Sequence, residues 1–288
     1  MKRTIIFAHY DKDNIIDDYV VDYLKALRPL ASELIFVSDS DLLASEVSKL
    51  DIDKAIVGKH GEYDFGSYKR GFEIMNDADQ LIFCNDSCYL VGNLEPLLES
   101  NNDFFAAITN TNDYAPHLQS YFVVFNRKVI ESSVFKNFMS SITKLDNKKD
   151  IIEKYEVGMT QTLSKAGFSF SSFVPEIFKN NPTMTEDYFA KLRPAGFPFL
   201  KTDLLKNNPA QTMNVCRWKN GLSASQIGQI ETHISRMIGN DRKHWHLTKF
   251  QAFLQRKTIL DCFFSYKKKK GVLRVRILGI PVLKKNLN

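Results

Sequence analysis

Residues 59–87 read KHGEYDFGSYKRGFEIMNDADQLIFCNDS. Gly58, Gly61, Gly66 and Gly71 break or bend the backbone where a side chain would obstruct, and Phe65, Tyr68, Phe72 and Met75 recur at helical spacing on one face. A helix packed on a sheet is expected. Leu81, Ile82, Phe83 and Cys84 then form a short apolar run, the mark of a buried strand in an α/β protein, before the chain turns polar at Asn85, Asp86 and Ser87. Ligands of open α/β sheets gather at the carboxyl ends of strands, which puts Asp86 beside a ligand. A carboxylate flanked by Asn and Ser oxygens suits a hard divalent cation holding a diphosphate, and it equally suits a cap on the following turn. Glycine turn, helix, strand and polar cluster, in that order, describe a nucleotide-sugar site.

Upstream, Thr4 to Ala8 reads as a first buried strand and Ile15 to Leu27 as an amphipathic helix ended by Pro29. Glu33 to Val37 is a second strand running into the polar Ser38-Asp39-Ser40-Asp41, and Ala55 to Val57 a third. This is a Rossmann-type α/β half, with parallel strands joined by right-handed crossovers. No G-x-G-x-x-G follows the first strand, which argues against a nicotinamide or flavin dinucleotide. Downstream, Leu94 to Leu98 reads as a helix, Phe104 to Ile108 as a strand, TNTNDYAP (109–116) as a loop and His117 to Phe125 as a strand. Helices are expected over Val129 to Thr143, Ile151 to Gly167, Met184 to Leu192 and Ala224 to Ile238.

The chain of 288 residues is 44% hydrophobic and 25% charged, ordinary for a soluble globular protein. Cys84, Cys88, Cys216 and Cys262 form no CxxC, so reduced cytosolic thiols are expected rather than a zinc ribbon or a disulfide framework. With neither a secretory signal nor an apolar run near the roughly 20 residues that span a bilayer, a cytoplasmic location is expected. Much of the net charge of +6 lies in a basic tail: Lys267 to Lys270, Arg274, Arg276, Lys284 and Lys285. Aromatic residues are not interleaved with these cations, which speaks against nucleic acid. Basic clusters flanking an apolar segment fit an anionic membrane surface; the partial alternation of Val272 to Leu278 fits a strand with one solvated face.

The chain resembles the rhamnan synthesis F family of bacterial glycosyltransferases over about residues 1–200. The resemblance is carried by His9-Tyr10-Asp11, Glu62-Tyr63-Asp64-Phe65-Gly66 with Gly71, Asn85-Asp86-Ser87, His117-Leu118-Gln119-Ser120-Tyr121-Phe122 and Tyr155-Glu156-Val157-Gly158. It implies a GT-A-like, Rossmann-type nucleotide-sugar domain over 1–200; beyond it, the residues of 201–288 are expected to form a mainly helical acceptor and membrane-association region with the basic tail. It implies transfer of a sugar, rhamnose from dTDP-rhamnose or a hexose from a UDP-sugar, to a lipid-linked or growing cell-surface polysaccharide. The setting would be the inner face of the membrane, and transfer would invert the anomeric centre with help from manganese or magnesium. Asn-Asp-Ser departs from the strict DxD of such enzymes.

On this resemblance His9, Tyr10 and Asp39 are candidates for the donor base, while Lys59, His60, Gly61, Gly66 and Lys69 serve the diphosphate, joined on the donor side by Asp64 and Asn85. Asp86 and Ser87 are the metal candidates. Inverting transfer needs one carboxylate to take the acceptor proton, and Glu156 is the first choice with Asp113 as runner-up. His117 and Gln119 are candidates for acceptor hydroxyls, and His244-Trp245-His246 for an acceptor groove. Glu156 reads equally as an exposed helix residue. A non-catalytic sugar-nucleotide or polysaccharide-binding subunit of the same fold is the alternative.

Overall fold

A computed structural model describes residues 1–99, 102–110, 115–178, 180–213, 215–247, 264–269, 272–277 and 280–286. In chain order the elements are β1 (Arg3–His9), α1 (Asp18–Leu27), β2 (Glu33–Ser38), α2 (Ala44–Val47), β3 (Lys54–Val57), α3 (Tyr63–Ile74), β4 (Gln80–Asn85), β5 (Cys88–Leu90) and β6 (Phe104–Asn110). Next come β7 (His117–Leu118), β8 (Phe122–Asn126), α4 (Arg127–Glu131), α5 (Ser133–Ser140), α6 (Lys148–Ile151), a π-turn over Ile152–Val157, α7 (Gly158–Lys165) and β9 (Phe170–Phe178). The chain continues with β10 (Phe199–Lys201), α8 (Thr202–Lys206), α9 (Ala224–Ile238), β11 (Phe264–Lys269), β12 (Val272–Ile277) and β13 (Ile280–Asn286).

The main sheet runs β3-β2-β1-β4-β8-β6-β7, with β9 added parallel to β6. Strands β1 to β4 are mutually parallel, as apolar runs joined by helices require, and β8 enters antiparallel beside β4. This is the α/β, Rossmann-type architecture expected. Both faces of β1 and β2 are covered: Ile5, Phe7 and Leu34 join α1 and α9 in one core, while Ile6, Ala8 and Ile35 join α3 and α5 in the other. The close approach of α3 to β1 needs Gly71, where a Cβ would lie 2.5 Å from Ile6 Cγ2. Helix α9 starts on a capping box made by Ser223 and Gln226 and delivers Ile230 and Ile234 to the α1 side of the core.

Several expected elements are shorter or broken, each for a local reason. Helix α1 begins at Asp18 rather than Ile15, because the Ile16 N–H donates to Glu46 Oε2 at 2.6 Å. The strand expected over His117 to Phe125 is interrupted between β7 and β8, where Ser120 gives its N–H to a carboxylate instead of a neighbouring strand. The helix expected over Val129 to Thr143 divides at Ser132, whose Oγ caps α5 by accepting from Phe135 N–H at 3.1 Å. Leu94 to Leu98 narrows to a 3₁₀ turn at Glu95–Leu97, and Met184 to Leu192 resolves into a 3₁₀ turn at Pro182–Met184 and a π-turn at Tyr188–Leu192. Among the described residues, 202–246 carries α8, α9 and two 3₁₀ turns, as expected of a mainly helical region, and the basic tail is a three-stranded antiparallel sheet, β11-β12-β13. Of the four cysteines, Cys84, Cys88 and Cys216 are free thiols, and Cys262 lies outside the described residues.

Candidate active site

The carboxyl ends of β1, β2 and β4 present His9, Asp39 and Asn85 along one edge of the sheet. A cavity of about 320 Å³ opens over β1, lined by His9, Tyr10, Asp11, Asp86, Lys206 and His233 among others. A second, of about 290 Å³, opens over the start of α3 and the end of β4, lined in part by Asp64, Asn85, Gln119, Glu156 and Lys201. Ser87, Thr202 and Lys206 line both, so the two cavities meet above Asn85-Asp86-Ser87.

On the first side His9 is buried against Phe36, pairs through Nδ1 with Ser38 Oγ at 2.9 Å, and is pushed down to about 4 by burial, which keeps it neutral. Tyr10 is 58% exposed, and its N–H donates to Asp86 Oδ2 at 2.8 Å. Asp39 does not open onto either cavity. Its Oδ1 accepts the N–H groups of His60 at 2.6 Å and Gly61 at 2.9 Å, and so shapes the glycine turn; Gly61 takes φ +68°, a conformation glycine adopts without strain. The His60 ring is spent within that turn, accepting from Glu62 N–H at 3.1 Å and meeting Ser67 Oγ at 3.0 Å. Gly66 lets this turn close on α3, since a Cβ there would lie 3.0 Å from His60 Cε1.

None of the five expected diphosphate ligands lines either cavity, His60, Gly61 and Gly66 being used in the turn. Lys59 pairs with Asp41 at the surface at 3.0 Å, and Lys69 donates to the carbonyl of Ile142 at 2.9 Å on the α5 side of α3. Of the His244-Trp245-His246 segment two residues are structural and His246 is exposed: His244 Nε2 and Trp245 Nε1–H both meet the Leu205 carbonyl, at 2.7 and 2.8 Å, and Trp245 packs edge-on against Trp218. Asp113 lies outside the described residues.

On the second side Glu156 sits in the π-turn between α6 and α7, the kind of helical irregularity that re-aims a side chain. Its Oε2 accepts from Ser120 N–H at 2.8 Å and Oγ–H at 2.6 Å, and its Oε1 lies 3.7 Å from His117 Nε2. Burial opposes ionisation of Glu156, yet His117 and the Ser120 bonds outweigh it and hold the carboxyl below the ordinary glutamate range. Glu156 is therefore no ordinary exposed helix residue. His117 is buried, with Nδ1 against the Ala115 carbonyl at 2.8 Å, so it orients Glu156 rather than opening onto the cavity. Asp64 Oδ2 accepts from Asn85 Nδ2 at 2.7 Å, and burial, opposed by Lys201, lifts its carboxyl to about 6. Gln119 lines the same cavity.

A divalent cation on Asn85, Asp86 and Ser87 would need oxygens that are already engaged. Asn85 Oδ1 accepts from Ser87 N–H at 3.1 Å and Oγ–H at 2.5 Å, and Ser87 Oγ in turn accepts from the Lys201 ammonium at 2.7 Å. The remaining group, Asp86, is a single carboxyl that already accepts from Tyr10 N–H through Oδ2. Among the described residues no three His, Cys, Asp or Glu side chains gather to hold an ion. The donor set does not fit the manganese or magnesium expected on Asp86 and Ser87.

Sequence reasoning missed Lys201, Lys206, Ser120 and Arg236. The Arg236 guanidinium on α9 holds Asp11 at 2.5 Å, Asp13 at 2.6 Å and Asp17 at 2.5 Å, fastening the loop after β1 that floors the first cavity.

A model of the rhamnan synthesis protein F family matches residues 34–260, more than half of the chain. The chain belongs to the rhamnan synthesis protein F family. As a member of this family it is 27% identical to virulence protein VirA of Vibrio anguillarum, over 72% of this chain and 81% of that one. It is 29% identical to the uncharacterised protein y4gN of Sinorhizobium fredii, over 47% of this chain and 39% of the other. Among solved structures, the galactosyltransferase LgtC in complex with donor and acceptor sugar analogues matches 84% of this family member at 11% identity, covering 98% of LgtC with a TM-score of 0.43. A Drosophila β-1,4-galactosyltransferase 7 mutant, in complex with manganese, UDP-Gal and xylobiose, matches 98% at 12% identity, covering 92% of that chain with a TM-score of 0.38. These structural likenesses are too distant to bear on substrate.

Proposed function

We propose that the chain is a glycosyltransferase that moves a sugar from a nucleoside-diphosphate sugar to a saccharide acceptor with inversion at the anomeric carbon. The observation that carries this reading is Glu156: an ionised, half-buried carboxylate anchored by Ser120, facing a cavity that meets a second one at the carboxyl end of β4. The nucleotide occupies the His9 and Tyr10 side, and the sugar reaches Asp64 and Asn85. Glu156 takes the proton of the acceptor hydroxyl as its oxygen bonds to the anomeric carbon. The bond from that carbon to the diphosphate breaks, and its electron pair leaves with the nucleoside diphosphate. Family membership supports rhamnose as the sugar, and a lipid-linked or growing cell-surface polysaccharide as the acceptor. Residues 201–288 then serve the acceptor and the membrane. The test is release of nucleoside diphosphate from a panel of nucleotide sugars, with one donor expected to be turned over and to raise the melting temperature.

Attachment to an anionic membrane surface is the second part of the reading. The tail carries Lys267 to Lys270, Arg274, Arg276, Lys284 and Lys285, a density of cations that favours an anionic partner. Among the described residues no helix is long and apolar enough to cross a membrane. Replacing Lys267, Arg274 and Lys284 together by Glu is expected to lower co-sedimentation with phosphatidylserine vesicles by about tenfold or more, at roughly 1 kcal/mol per cation near the surface. Unchanged co-sedimentation would dismiss the membrane role.

A further inference from the structure

We propose that Lys201 and Lys206 bear the charge of the donor diphosphate, in place of a divalent cation, so that the site binds and activates its donor without metal. This rests on the reading of the two cavities as a nucleotide-sugar site and assigns the groups that hold its charged centre.

Both lysines come from one fixed unit. Strand β10 pairs antiparallel with β5, setting Lys201 opposite Cys88, and the Thr202 N–H donates to the Ser87 carbonyl at 3.0 Å. Leu204 and Leu205 are fully buried and seat α8, which ends in Lys206. The Lys201 ammonium is located twice over, by Ser87 Oγ at 2.7 Å and by the Tyr121 ring, whose centroid lies 4.6 Å away. Lys206 lines both cavities, and no hydrogen bond or ion pair holds its ammonium among the described residues. An unspent cation at the junction of two cavities is what a bridging polyanion requires.

Each carboxylate nearby already has one oxygen engaged. Asp64 is engaged by Asn85, Glu156 by Ser120, Asp203 by Asn207 and Asp86 by the Tyr10 N–H. A divalent cation at the junction would face two ammonium groups with few free oxygens to hold it, whereas a diphosphate there would meet the same groups as donors. As the bond to the anomeric carbon breaks, the leaving diphosphate gains charge, and ammonium groups already in place stabilise that charge with no reorganisation. Lysine suits the task as a compact point charge with three donors.

The experiment is calorimetric titration of the full chain with UDP and dTDP, and with UMP and dTMP as controls, in chelator and then in manganese or magnesium. The expected result is binding of at least one diphosphate in chelator, within about twofold of its affinity with metal. Lys201→Met and Lys206→Met are each expected to weaken it by about tenfold, while the monophosphate loses less. Melting curves of both variants confirm that they fold, and the wild-type titration in chelator stands whether or not they do. Diphosphate binding that appears only with metal, or that survives both substitutions unchanged, overturns the lysine assignment and leaves the nucleotide-sugar reading intact. No diphosphate binding under any condition overturns both.

Discussion

Glu156→Gln is expected to lower the rate of sugar transfer by about 10²- to 10⁴-fold, the span of general-base contributions, with nucleoside-diphosphate affinity changed less than about twofold. Glutamine still accepts from Ser120 N–H and Oγ–H, so the π-turn and the cavity wall should persist while the proton acceptor is lost. Initial rates and titration calorimetry on the same preparation separate the two effects, and a comparable loss of binding would make Glu156 a structural residue. The pH profile adds a second reading. A rate that depends on an ionised base falls as pH drops through the folded pKa of that base. Glu156 is held below the ordinary glutamate range, so the rate should stay flat through pH 6 and decline only in more acidic solution. Asp64 shares the cavity and is lifted to about 6. A decline centred near that pH would move the base from Glu156 to Asp64.

Arg236→Ala is expected to destabilise the fold by about 3–5 kcal/mol, because it leaves buried carboxylates without their cation. Asp11 is 6% exposed and Asp17 is little more accessible at its side chain, and both bond the guanidinium at 2.5 Å. At roughly 2–4 °C per kcal/mol for a chain of this order of size, the melting temperature should fall by about 6–20 °C near neutral pH. Burial already raises the Asp17 carboxyl against the opposing pull of Arg236. Without the arginine it rises further, so a proton can neutralise the stranded group, and the gap to wild type should narrow as pH falls toward the carboxylate range. Equal melting temperatures at neutral pH would mean that the loop after β1 is held by other contacts.

The first half of the sheet is legible because its signals are local. Apolar runs at 4–8, 33–37 and 81–84 mark strands buried on both faces, and the polar residues that end them fall at one edge of the sheet by topology alone. Asn85, Asp86 and Tyr10 follow strand ends and are legible as cavity-lining residues for the same reason, whereas Glu156, in a turn between helices, is marked only by the family resemblance. The place of Lys69 was not legible, because helical rotation carries it away from Asp64 to the α5 side of α3. Lys201 reaches Ser87 across more than a hundred residues of chain, through the pairing of two three-residue strands, and no local pattern announces that pairing. Ser120 lay inside an apolar run that reads as continuous strand. Only the distant carboxylate of Glu156, taking its N–H, explains the break. Arg236 appears in sequence as an ordinary polar position of α9, and its partners lie at the other end of the chain.

The most direct test of the account is the release of nucleoside diphosphate from purified dTDP-rhamnose, UDP-glucose and UDP-galactose by the wild-type chain and by Glu156→Gln, with thermal stabilisation recorded for each donor. One donor should stabilise both proteins, and wild type alone should release its diphosphate at a rate that an added saccharide acceptor increases. Stabilisation by a donor with no release under any acceptor would contradict catalysis and leave a sugar-nucleotide-binding subunit; no stabilisation and no release with any donor would contradict the nucleotide-sugar site itself.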